Sequence, residues 1–102
     1  MLVAIAVASG LLAAPGVVVS GRPDPEAGKA QAKLVCQACH GMDGISLVRN
    51  YPNLRGQKEL YVVKQLEAFR SGERNSPEMN VMAMPLSDQQ IRDLAAYYSQ
   101  MR

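Results

Sequence analysis

An all-α fold is predicted by three observations: helical apolar spacing recurs in three separate stretches, each stretch carries its own start or stop residues, and no alternating strand pattern of any length occurs between residues 21 and 102. The 102 residues suffice for one domain. Residues 1–20 form an apolar opening stretch, which leaves a domain over 21–102, a size at which an apolar core alone is marginal. The domain holds five aromatic residues, Tyr51, Tyr61, Phe69, Tyr97 and Tyr98, and no tryptophan, which suits a small core built around a large flat ligand.

The first helix is signalled by Asp24-Pro25-Glu26, with Asp as N-cap, Pro at the first helical position and Glu at the positive end of the dipole. It is expected to run to about Cys39, with an apolar face of Ala27, Leu34, Val35 and Ala38 and small residues Gly28 and Ala32 that allow close approach by another helix. Residues 41–56 carry Gly41, Gly44, Asn50, Pro52, Asn53 and Gly56 and read as a loop. A second helix starts near Lys58 and stops at Ser71-Gly72, glycine supplying the left-handed residue that ends it. Its stripe of Leu60, Val63, Leu66 and Phe69, widened by Tyr61 and Val62, is read as core. Glu73 to Pro85 reads as a loop rich in methionine, with Met79, Met82 and Met84. The last helix has the clearest start: Ser87 and Gln90 form a capping box, Leu86 and Ile91 a hydrophobic staple, and Ile91, Leu94, Ala95 and Tyr98 the core face. Tyr97 or Tyr98 is expected to meet the first helix at Gly28.

Cys36-Gln37-Ala38-Cys39-His40 is a C-x-x-C-H run, the pattern of covalent c-type haem attachment. Two thiols at this spacing can each form a thioether to one porphyrin, and His40 then directs its imidazole at the iron. Other chemistries fit less well. A structural zinc site normally takes four ligands, and the chain has two cysteines and one histidine. A thioredoxin-type pair places its first thiolate at a helix N-terminus, whereas Cys36 follows a helical stretch, where the dipole opposes a thiolate. A disulfide between Cys36 and Cys39 would close too small a loop to matter for stability.

Met1 to Ser20 carries no charge and reads as a secretory signal peptide, with small residues from Ala13 to Gly21 as possible cleavage points. An uncleaved anchor is the alternative, since a bilayer span takes about 20 apolar residues; Pro15 and Gly16 favour cleavage. Either reading puts the domain outside the cytoplasm, with membrane contact only if residues 1–20 are retained. The formal charge is +2, with 11 basic and 9 acidic residues and no basic cluster, so no nucleic-acid partner is implied.

Cys36 to His40, then Gly41-Met42-Asp43-Gly44, then Pro52-Asn53-Leu54-Arg55-Gly56-Gln57, together resemble a class I c-type cytochrome, most of all one half of bacterial cytochrome c4 or a single-haem relative of the c553 kind. Tyr61 to Leu66 and Glu78 to Asp88 extend the likeness over most of residues 26–100. The resemblance implies three main helices wrapped around one covalent haem c, with the N- and C-terminal helices crossing. It implies that Pro52 offers its carbonyl to His40, that Leu54 lies against the porphyrin face, and that Gln57 and Tyr61 can donate to a propionate, with Arg55 more simply a solvated charge. It assigns the sixth iron ligand to Met79, seven positions before Leu86, with Met82 as runner-up beside the ring and Met84 third. One haem motif stands here where cytochrome c4 has two.

The function so implied is a periplasmic one-electron carrier, not an enzyme, working between redox proteins: a quinol-oxidising complex on one side and a terminal oxidase or other acceptor on the other. The alternative is a haem subunit or anchored domain relaying electrons inside a larger dehydrogenase or oxidase complex. A gas-binding or peroxidase-like haem protein is a third reading and would need an open sixth position.

Overall fold

The computed structural model describes residues 21–102, so the expected signal peptide or anchor at 1–20 lies outside the described residues. The described chain is all-helical, without strands. Helix α1 (Pro25–Gln31) passes into one wide π turn (Ala32–Cys36) and then α2 (Gln37–His40), forming one continuous helical stretch. After the loop come α3 (Glu59–Ser71), α4 (Pro77–Ala83) and α5 (Asp88–Ser99).

Local chemistry sets most of the boundaries. Asp24 caps α1, its carboxylate accepting from the backbone N–H groups of Glu26 at 3.0 Å and Ala27 at 3.3 Å. Gly72 ends α3 at φ 86°, a backbone state that glycine enters without steric cost. Ser87 and Gln90 form the capping box: Ser87 Oγ accepts from Gln90 N–H at 3.0 Å, and Gln90 Oε1 accepts from Ser87 N–H at 2.9 Å.

The most extensive helix pairing is α1 on α5. A Cβ on Gly28 would stand 2.1 Å from the Asp93 carbonyl oxygen and 3.0 Å from Tyr97 Cβ, so only glycine permits this crossing. Tyr97 therefore meets α1, while Tyr98 turns into the core. Asp93 fastens the junction: its Oδ1 accepts from Asp24 N–H and from Gln89 Nε2, each at 2.9 Å. A buried carboxylate supplied with donors in this way costs far less than an unpartnered one.

Three expectations need correction. Leu34 (73 % exposed), Val35, Ala27 and Ala38 do not form the buried face of the first helix; Gly28 and Ala32 do. Two helices in close contact select small residues at the contact, which leaves the larger ones outside it. Leu60 is 76 % and Tyr61 48 % exposed, so of the expected stripe α3 buries Phe69 and Val62, with Val63 and Leu66 half-buried. The methionines do not lie in a loop, because Met79 and Met82 sit on the short helix α4.

The core cluster is Ala32, Phe69, Ala83, Leu86, Ile91, Leu94 and Tyr98. It joins the π turn, α3, α4 and α5, and Cys36, Leu54 and Met79 pack against it.

Candidate haem site

The C-x-x-C-H run occupies the end of the first helical stretch. Cys36 is the last residue of the π turn, and Cys39 and His40 close α2. Both thiols are free and half-buried. Burial pushes the Cys36 thiol up from its ordinary pKa, so it stays protonated at neutral pH; its own backbone contact offsets this only in part. Gly41 then turns the chain at φ 87°, where a Cβ would meet the Ile45 carbonyl oxygen at 2.0 Å.

The loop that follows is folded back on the helix end by its own polar groups. The Gly44 carbonyl accepts from Leu54 N–H at 2.8 Å and Arg55 N–H at 3.0 Å. Ser46 Oγ donates to the Cys39 carbonyl at 3.1 Å, and Ser46 N–H donates to Asn53 Oδ1 at 2.7 Å. These bonds bring residues 52–55 beside His40. His40, only 7 % exposed, accordingly donates from Nδ1 to the Pro52 carbonyl at 2.7 Å. A carbonyl can only accept, so Nδ1 holds the ring proton and Nε2 keeps its lone pair for a metal.

Met79 is half-buried against the core cluster that also receives Cys36 and Leu54. Met82 is 40 % exposed and lines an apolar cleft of about 400 Å³ with Leu34, Val35, Val81, Pro85 and the core residue Leu86. Met84 is 65 % exposed. Gln57 Oε1 accepts from Lys58 N–H at 2.8 Å, at the start of α3, and Tyr61 is 48 % exposed in that helix's first turn. Arg55 donates to the carbonyls of Asp43, at 3.0 Å, and Arg102. The structure thus brings together Cys36, Leu54 and Met79 on one cluster and His40 with Pro52, and it leaves Met82, Gln57 and Tyr61 outside that cluster.

Asn80 is a positioning residue that the sequence reading missed. Its Nδ2 donates to the carbonyls of Phe69 at 2.8 Å and Arg74 at 2.9 Å, and its Oδ1 accepts from Ser76 N–H at 2.9 Å. One side chain next to Met79 therefore ties α4 to the end of α3. Tyr98, expected on the core face or at the Gly28 crossing, is buried in the core with its hydroxyl lacking a hydrogen-bond partner among the described residues. No local pattern announces the role of Asn80, since it depends on the Phe69 and Arg74 carbonyls across the α3–α4 corner.

The donor set fits haem and not a bare ion. Among the described residues no three His, Cys, Asp or Glu side chains gather as a metal cluster. What does gather is a pair of unpaired thiols, an imidazole with one nitrogen committed and one free, and an apolar bed carrying a thioether. That combination defines the class of covalent haem-binding domains. Residues 25–102 match the cytochrome c family model, and the chain belongs to the cytochrome c family, whose cofactor is covalently attached haem c. It is 54 % identical over 76 residues to cytochrome c4 of Thiocapsa roseopersicina, a match covering 74 % of this chain and 39 % of that one. It is 49 % identical over 67 residues to cytochrome c-554(548) of Halomonas halodenitrificans, covering 63 % of this chain and 81 % of the relative. Among solved structures, reduced recombinant cytochrome c4 from Pseudomonas stutzeri superposes with a TM-score of 0.74 at 41 % identity, covering 79 % of this chain and 47 % of that chain. The chain thus spans about two fifths of the length of the cytochrome c4 relative from Thiocapsa.

Proposed function

We propose that the chain is a periplasmic one-electron carrier whose haem c is held by thioethers from Cys36 and Cys39, with His40 and Met79 as axial ligands. The observation that carries this reading is the 2.7 Å hydrogen bond from His40 Nδ1 to the Pro52 carbonyl. It holds one tautomer and one ring rotation, leaving Nε2 as a fixed and more basic ligand. When bound, haem c supplies an Fe(III)/Fe(II) couple.

The protein's own residues make that couple useful for transfer and poor for catalysis at the metal. Cys36 and Cys39 fix the ring covalently and set its orientation. The Met79 thioether would hold the iron together with His40 and would favour the ferrous state. Because Asn80 anchors α4 by three hydrogen bonds, the same sulfur can serve in both oxidation states. Leu54 and the core cluster exclude water from the ring. Met82 would pack at its margin, and Gln57 and Tyr61 would donate to a propionate.

Partners of such a carrier are redox proteins, here a quinol-oxidising complex and a terminal oxidase or dehydrogenase, meeting it through small, transient contacts. Residues 1–20 act as the signal peptide, leaving 21–102 as the exported domain. No helix among the described residues is long and apolar enough to cross a membrane.

Carbon monoxide tests the closed coordination. The ferrous holoprotein, without denaturant, is expected to leave its spectrum unchanged under carbon monoxide. Rapid formation of a carbonyl adduct would instead indicate an open sixth position and a gas-binding or peroxidase-like protein. Stable copurification with a large dehydrogenase would favour the relay-subunit alternative over a diffusing carrier.

A further inference from the structure

Cys39 stands next to His40 in the last turn of α2, where helix carbonyls run out of helical donors. Gly41 turns the chain away at φ 87°, and no backbone N–H donates to the Cys39 oxygen among the described residues. Ser46 Oγ lies 3.1 Å from that oxygen and 2.8 Å from the Val48 carbonyl, with a single hydrogen to give. The Val48 carbonyl already accepts from Tyr51 N–H at 3.0 Å. The hydroxyl hydrogen therefore belongs to Cys39, and Oγ in turn accepts from Val48 N–H at 3.0 Å.

Ser46 also reaches the other side of the site. Its N–H donates to Asn53 Oδ1 at 2.7 Å, and Asn53 follows Pro52, whose carbonyl takes the His40 Nδ1 proton at 2.7 Å. One residue thus bridges the neighbour of the imidazole donor to the neighbour of its acceptor. Packing does not hold this part of the loop, since Leu47 is 96 % and Val48 47 % exposed. The Gly44 carbonyl, through Leu54 and Arg55 N–H, fixes the chain beyond Asn53. What holds Asn53 itself is Ser46.

We infer that Ser46 is a positioning residue for the axial histidine: its hydroxyl on Cys39 and its N–H on Asn53 keep the Pro52 carbonyl within hydrogen-bonding distance of His40 Nδ1, and so set how strongly Nε2 donates to iron. This rests on the reading of His40 as an iron ligand. A well-held Nδ1–H···O bond makes the ring a more basic ligand, which stabilises the ferric state. The Ser46 clasp therefore lowers the reduction potential.

The test compares purified holoprotein of wild type, Ser46→Ala and Ser46→Thr, with intact mass recorded on each sample. Two quantities are read: solvent exchange of the His40 Nδ1 proton by NMR, and the midpoint potential. Ser46→Ala is expected to keep covalent haem, to exchange that proton roughly fivefold faster and to favour the ferrous form by roughly twofold to fivefold, within what one ordinary hydrogen bond is worth. Ser46→Thr keeps the hydroxyl and is expected to follow wild type. A haem-loaded Ser46→Ala protein with both quantities unmoved, even if less stable, would overturn the role of Ser46 and leave the haem assignment intact; so would a Thr variant that behaves like Ala. A wild-type mass without haem would overturn both. Should Ser46→Ala fail to take up haem, Asn53→Ala cuts the clasp from its other end: faster Nδ1 exchange supports the inference and unchanged exchange overturns it.

Discussion

The α1–α5 crossing and the α3–α4 corner hold the domain together by opposite means. At the crossing, polypeptide meets polypeptide. Gly28 admits the backbone of Asp93, the Asp93 carboxylate fastens Asp24, and Ile91, Leu94, Ala95 and Ala96 are almost wholly covered. At the corner, one amide side chain, Asn80, holds a seven-residue helix on which Val81 is 61 % and Met82 40 % exposed. The crossing is a packing device that needs nothing but the chain. The corner presents a half-buried methionine, Met79, from a short helix whose one buried residue is Ala83.

Substitutions can separate the two. The largest effect is expected at the crossing: Gly28→Val drives its Cβ into the Asp93 carbonyl oxygen, 2.1 Å away, and the helices must move apart. A loss of about 3 kcal/mol or more is expected in denaturant unfolding of the holoprotein, with the axial ligation of the folded fraction unchanged. Asn80→Ala comes next. It removes three hydrogen bonds and leaves the Phe69 and Arg74 carbonyls without that donor, at a cost of about 2 kcal/mol. Its particular signature is at the iron: carbon monoxide should gain access to the ferrous protein, which Gly28→Val would not allow. If both variants behaved alike, the division between packing and presentation would fail. Ser87→Ala is the smallest, about 1 kcal/mol from a lost cap, again by denaturant unfolding, with no change in ligation.

The same division explains what was legible in the sequence. The caps at Asp24, Gly72 and Ser87 could be read because each acts within a few residues of itself. Helix α4 carries the same kind of start, since Ser76-Pro77-Glu78 repeats the pattern of Asp24-Pro25-Glu26. The His40–Pro52 bond was reachable only through family resemblance, because it depends on a loop closed by the Gly44 carbonyl. Periodicity showed that α1 and α3 carry apolar stripes without showing which of those residues would be covered, so Leu34, Val35 and Leu60 were misplaced. Asn80 could not be seen at all, because the Phe69 carbonyl that it holds lies 11 positions away. The π turn at Ala32–Cys36 has no local sequence signal that we recognise.

The most direct measurement of the site is near-infrared absorption of the ferric holoprotein, where a methionine sulfur on iron gives a charge-transfer band, compared among wild type, Met79→Ala and Met82→Ala. The band should be present in wild type and in Met82→Ala and absent from Met79→Ala. Its loss from Met82→Ala with retention in Met79→Ala would contradict the placement of the axial sulfur.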